Sequence, residues 1–204
     1  WIHSSKETTK KMANEMNSKV FEQINAFIEM PEHINEVNQK LIKNGIVDIY
    51  NQDEREKFFV GVLETHGSHV YSFSYGTKDG EYYGALRNEE GIIEIIRNDA
   101  STDGNLWYYS VTPDLTAWEL VTKAGKFDPR TYDWYKEAAE AGKPVFSSIY
   151  KHYVRDDLTV SFAWPIYDDE GKNQGVLGAH IILSDIDSFL KDIVKDIRGY
   201  ALIV

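Results

Sequence analysis

The chain has 204 residues, 42% hydrophobic and 27% charged, enough for one compact core with an appendage and too apolar for a disordered chain. Its formal net charge of -11 disfavours nucleic acid and anionic lipid as partners. Cysteine is absent, which excludes disulfides, thiol catalysis and cysteine-held zinc.

The first segment reads as helix, because Met12, Met16, Val20, Ile24, Phe27 and Ile28 recur at spacings of three and four. Pro31 is expected at the first turn of a second helix carrying Ile34, Val37, Leu41 and Ile42, with Gly45 as its stop. A third helix is expected from Asp53 as N-cap, burying Phe58, Phe59, Val62 and Leu63. His66 and His69, on either side of Gly67 and Ser68, read as turn residues.

From residue 69 the period becomes two. Tyr71, Phe73 and Tyr75 alternate with Ser72 and Ser74, and Asp79-Gly80 turns the chain into a partner strand over 81–87. Strands over 92–96 and 106–111 continue the pattern, with an edge piece near 118–121. A short helix follows Phe127-Asp128-Pro129-Arg130-Thr131-Tyr132-Asp133-Trp134-Tyr135 and ends at Gly142-Lys143-Pro144. A hairpin over 145–152 and 158–167 and a strand over 175–183 complete the meander. Asp185 then caps a helix bearing Ile186, Phe189, Leu190, Ile193 and Ile197.

Helices, then a strand meander broken by one short helix, then a helix: this order predicts an α+β domain with an antiparallel sheet. No apolar run approaches the roughly 18 to 20 residues that cross a bilayer, and the N-terminus has no signal-peptide pattern. Trp1-Ile2-His3 and the strand-like Tyr200, Ala201, Leu202, Ile203 and Val204 are expected to be cut ends, with membrane-spanning segments beyond them.

The Asp128-Pro129-Arg130 turn, the Trp134-Tyr135 pair and the strand Gly175-Val176-Leu177-Gly178 together resemble the double Cache family of extracytoplasmic sensor domains. The resemblance implies a Cache fold, in which a long N-terminal helix packs on a PAS-like antiparallel sheet. Residues 1–45 would be the rising helical region, and 46–184 the membrane-distal ligand-binding module. Residues 185–204 would be a connecting helix and the first strand of a membrane-proximal module. By frequency within the family, the parent receptor is expected to be a sensor histidine kinase. The alternatives are a chemoreceptor sensor domain and a ligand-free dimerisation module.

Members of that family that bind amino acids use a set of pocket positions, and the resemblance carries over unevenly. Trp134 and Tyr150 match. Phe127 replaces a tyrosine, Tyr132 an arginine that grips the ligand carboxylate, and His152 and His180 replace two aspartates that read the ammonium group. A tyrosine hydroxyl does not reproduce a bidentate guanidinium. The substitutions therefore predict a small anionic or neutral organic ligand that is not a standard α-amino acid, with the two histidines able to gain charge near pH 6.5. Tyr108 is a further candidate lining residue.

Each candidate also has a structural role open to it. Arg130 fits a turn-closing bond, Phe127, Trp134 and Tyr150 fit a core, and His152 and His180 fit a sheet edge and a satisfied interior. Two histidines with no third ligand nearby in sequence make a poor metal site, and no cofactor is called for. Ser148-Ile-Tyr-Lys151 matches Ser-x-x-Lys, but it lies on a predicted strand without the companion motifs of penicillin-binding enzymes. No catalytic residue is therefore assigned. The expected partners are a small molecule and a second copy through the N-terminal helix.

Overall fold

The computed structural model describes residues 2–66 and 69–201. The first helix, α1, is continuous over Ile2–Lys43 and contains Pro31, so the expected break there does not occur. Pro31 is buried in line with Phe27, Ile34, Asn35 and Asn38, and packing on the sheet holds the helix through the backbone bond that proline cannot make. α2 spans Gln52–Thr65, and its cap is Asn51, not Asp53: the Asn51 side chain accepts from the Glu54 N–H at 3.1 Å.

The strands are β1 (Ser72–Thr77), β2 (Tyr82–Arg87), β3 (Ile93–Asn98), β4 (Asn105–Val111), β5 (Ala117–Lys126), β6 (Val145–Phe146), β7 (Tyr150–Lys151), β8 (Leu158–Tyr167) and β9 (Asn173–Ile182). They form one sheet in the order β5-β4-β3-β2-β1-β9-β8-β6, with β7 also on β8, and every pairing is antiparallel. The expected edge piece near 118–121 is thus a ten-residue edge strand. The expected 145–152 strand is two short pieces that both pair with β8.

α3 covers Asp133–Ala141 and α4 covers Leu183–Ala201. The helix α4 runs through Tyr200 and Ala201, which corrects the expectation of a strand starting there. Residues 202–204, Trp1, and Gly67 and Ser68, where a turn was expected, lie outside the described residues.

Both faces of the central strands are covered. On one face α1 and α2 bury Ile34, Phe59, Val60 and Leu63 against Phe73, Tyr75, Tyr83, Ile95 and Leu177. On the other, α3 and the loops bury Trp134, Phe127 and Tyr150 against Tyr82, Leu86, Tyr108 and Val176. This is a long N-terminal helix on an open antiparallel sheet, the Cache-type α+β arrangement. Among the described residues, no helix is long and apolar enough to cross a membrane.

Candidate functional site

The Asp-Pro-Arg turn fixes where the second face closes. Asp128 accepts from the Arg130 backbone at 3.0 Å and grips its guanidinium at 2.7 to 3.2 Å. Arg130 Nη1 donates to the Lys78 carbonyl at 3.1 Å, which ties the turn to the β1–β2 hairpin, so Arg130 is structural. A Cβ at Gly76 would lie 2.9 Å from Pro129 Cβ, so only glycine lets the turn approach β1 this closely. α3 then starts at Asp133 and carries Trp134 fully into the interior.

All seven sequence candidates gather on this face. Phe127 stacks on Tyr132 with ring centroids 4.9 Å apart and lies 4.9 Å from Tyr82. Trp134 meets His180 edge-on at 5.0 Å. Tyr108, Phe127, Trp134 and Tyr150 belong to one buried cluster, with Tyr132 and Tyr153 packed against it. His152 stacks on Tyr153 at 4.3 Å and meets Tyr71 edge-on at 5.2 Å.

A line of hydrogen bonds crosses this aromatic chamber. The Tyr82 hydroxyl donates to Ser74 Oγ at 2.8 Å, and Ser74 Oγ is 2.6 Å from His180 Nε2. His180 Nδ1 lies 2.6 Å from Ser161 Oγ, which is 2.7 Å from the Tyr150 hydroxyl. A neutral imidazole serves both serines, donating from one nitrogen and accepting at the other.

Burial, followed by the neighbouring His152, pushes His180 down to about 3. Burial and then Arg155 push His152 down to about 4. The expectation that the pair charges near pH 6.5 is therefore corrected, because desolvation penalises the imidazolium more than any partner here favours it. Burial likewise raises Tyr82 to about 12 and Tyr150 further, so both hydroxyls keep their protons at neutral pH.

Among the sequence candidates, Trp134 Nε1, the Tyr108 hydroxyl and His152 Nε2 have no hydrogen-bond partner, as is true of Ser72 Oγ and Thr159 Oγ1 on the neighbouring strands. His152 Nδ1 accepts from the backbone N–H groups of Val154 and Arg155 at 3.0 and 2.9 Å, which leaves the ring proton on Nε2. A buried donor without a partner costs free energy. These three are an indole N–H, an imidazole N–H and a phenol, all uncharged and closed within the packed aromatic face.

Sequence reasoning missed Tyr82, Tyr153, Ser74 and Ser161. The serines alternate with aromatics on their strands, a pattern that reads as a wet face although both faces are buried. The one sequence signal near them is Gly84, opposite Ser74, where a Cβ would lie 2.7 Å from Ser74 Cβ. Ser148 and Lys151 form no couple: Ser148 bonds Glu137, and Lys151 pairs with Asp156 at 3.4 Å. Among the described residues, no group of three or more histidine, aspartate or glutamate side chains is placed to hold a metal.

Residues 88–188, just under half of the chain, match the family model of the methyl-accepting chemotaxis protein-like first PDC sensor domain. This is a class of extracytoplasmic sensor domains of membrane receptors, and not of enzymes, as the sequence had indicated. No curated protein matches the chain.

Among solved structures, one described as methyl-accepting chemotaxis protein X is 17% identical with a TM-score of 0.53, over 90% of this chain and 65% of that one. The ligand-binding domain of the Campylobacter jejuni chemoreceptor Tlp3 with L-norvaline is 18% identical with a TM-score of 0.50, over 88% and 60%. That of the Pseudomonas aeruginosa amino-acid chemoreceptor PctC with GABA is 16% identical with a TM-score of 0.49, over 83% and 63%. The chain spans less than two thirds of these structures' length.

Two expectations are corrected by these findings. The matched class is the chemoreceptor sensor, the stated alternative, and not a histidine-kinase receptor. The exclusion of amino acids falls too, since the Tlp3 domain of this fold holds L-norvaline. The physical reason is that charged partners are not the sole way to hold a zwitterion: hydroxyls and aromatic faces attract an ammonium, and N–H and O–H groups donate to a carboxylate.

Proposed function

We propose that this chain is the ligand-binding part of a chemoreceptor-type sensor and that the aromatic chamber takes a small amino-acid-like molecule. Phe127, Tyr132, Trp134, Tyr150, His152, His180 and Tyr108 line it, joined by Tyr82, Tyr153, Ser74 and Ser161. The observation that carries this reading is the set of buried, unpartnered polar atoms on Trp134, Tyr108 and His152 beside a hydrogen-bond line that is otherwise satisfied. The family match and the norvaline-bound structure of the same fold support the ligand class.

The ligand carboxylate accepts from the indole and imidazole N–H groups, while its ammonium rests on ring faces and donates to the Tyr150 and Tyr82 oxygens. In this reading 46–184 is the sensing module and α4 the connecting helix. α1 pairs with a second copy through an exposed stripe that includes Phe21, 66% exposed, and Ile28, 48% exposed.

A thermal-shift screen over the standard amino acids and GABA tests the reading. At least one should raise the melting temperature, and Trp134→Phe, which keeps a ring but removes the N–H, should weaken that ligand about tenfold. A screen without a hit, or a hit indifferent to Trp134→Phe and Tyr150→Phe alike, would exclude the chamber as the site.

A further inference from the structure

At the foot of the sheet, the turn after β2, the loop after β7 and the first turn of α4 enclose a second cleft of about 160 Å³. It is lined by Tyr71, Arg87, Asn88, Glu89, Arg155 and Asp185 together with Gly91. Arg87 donates Nη2 to the carbonyls of Leu63 and His66, at 2.7 and 2.9 Å, closing the end of α2. The Arg155 guanidinium lies 5.3 Å from the Tyr71 ring centroid, and its Nη2 is 3.7 Å from Asp157.

Both arginines keep a buried Nε with no hydrogen-bond partner among the described residues. An N–H of a guanidinium shut away from water and unpaired is costly. What the cleft itself offers is two guanidinium groups on its lining, a pairing that suits an acceptor with two oxygens. The opposing charges are Asp185, whose carboxyl burial holds above the usual carboxylate range against the pull of Arg155, and the exposed Glu89.

We propose that this cleft binds a small zwitterion, with its carboxylate between Arg87 and Arg155 and its ammonium toward Asp185 and Glu89. Two positive and two negative side chains line the space, which matches a ligand of zero net charge. The volume is that of about five waters in the liquid, which sets the size at glycine or β-alanine. The site adjoins the aromatic chamber, since Tyr71 meets His152 edge-on at 5.2 Å and the Arg155 backbone N–H donates to His152 Nδ1, but its charged groups are its own. Occupancy would act on the joint with α4, because Asp157, the partner of Arg155, also accepts from the Ser184 hydroxyl at 2.8 Å.

Amide NMR with glycine and with acetate as probes tests the proposal. Glycine should shift the amides of Asn88, Glu89 and Asp185 along one saturation curve, and acetate should bind more weakly. Arg155→Gln should lower the glycine affinity about tenfold, and Asp185→Asn should abolish the preference for glycine over acetate. The amides of Ser74 and Ser161 report the chamber separately, so failure of either site is read on its own. No shift at the cleft, a curve unchanged in Arg155→Gln, or acetate equal to glycine in the unaltered protein would overturn the assignment.

Discussion

His180 shows how a single side chain is made useful by its surroundings. Buried between Ser74 and Ser161, it stays neutral down to about 3, and His152 down to about 4. The unfolded chain takes up these protons near pH 6.5, so it binds more protons than the folded one throughout that interval. Stability therefore falls as pH drops from about 6.5 toward 4, by up to about 1.4 kcal/mol per pH unit for each histidine. Urea unfolding at pH 7 and 5 should show this loss, and His180→Gln should make the fall shallower; an equal slope in the variant would contradict the buried neutral state. Gly178 is the complementary case. A Cβ there would lie 2.7 Å from the His180 ring and 3.3 Å from Trp134 Cε3, so Gly178→Ala should cost about 1 to 3 kcal/mol and weaken any chamber ligand.

At the scale of elements, periodicity located the helices and most strands, because a period of 3.6 or 2 is a direct image of which side meets the core. It misjudged the joints. Pro31 looks like a helix start in sequence, yet burial beside Phe27 and Ile34 outweighs one missing backbone bond. The alternation of Ser72 and Ser74 with Tyr71, Phe73 and Tyr75 looks like a half-wet strand. In a sheet covered on both sides the polar face is instead an interior lined with hydroxyls, and alternation cannot tell these apart. The candidate aromatics were legible because the motif names them, whereas Tyr82 and Ser161 become partners only through strand pairing across the sheet. Asn35 was equally hidden. Its Nδ2 donates to the Phe162 carbonyl at 2.6 Å, joining α1 to the strand that carries Ser161. Asn35→Ala should destabilise the domain by about 1 to 3 kcal/mol in chemical unfolding, while an exposed polar residue of α1 such as Glu36 should tolerate the same change.

For the whole molecule, the sheet is the plate between the two functions proposed for it. β8 and β9 carry Ser161 and His180 on the chamber side, and α1 packs on these same two strands from the other side. Further along, Phe27 of α1 meets Phe189 of α4 with ring centroids 5.3 Å apart, so both outgoing helices touch one another as well as the sheet. A ligand that binds only the folded state at one hundred times its Kd adds about 2.7 kcal/mol of stability, but it moves α1 only if its affinity differs between two arrangements of helix and sheet. The Asn35–Phe162 bond is the one polar tie between α1 and β8 among the described residues, so it is the point where such a difference can be read. With saturating chamber ligand, amide exchange should slow together in β8, β9 and residues 34–38 of α1. In Asn35→Ala the strands should still gain protection while the helix gains little. Equal protection of the helix in both proteins would show that the ligand acts on α1 through apolar packing alone.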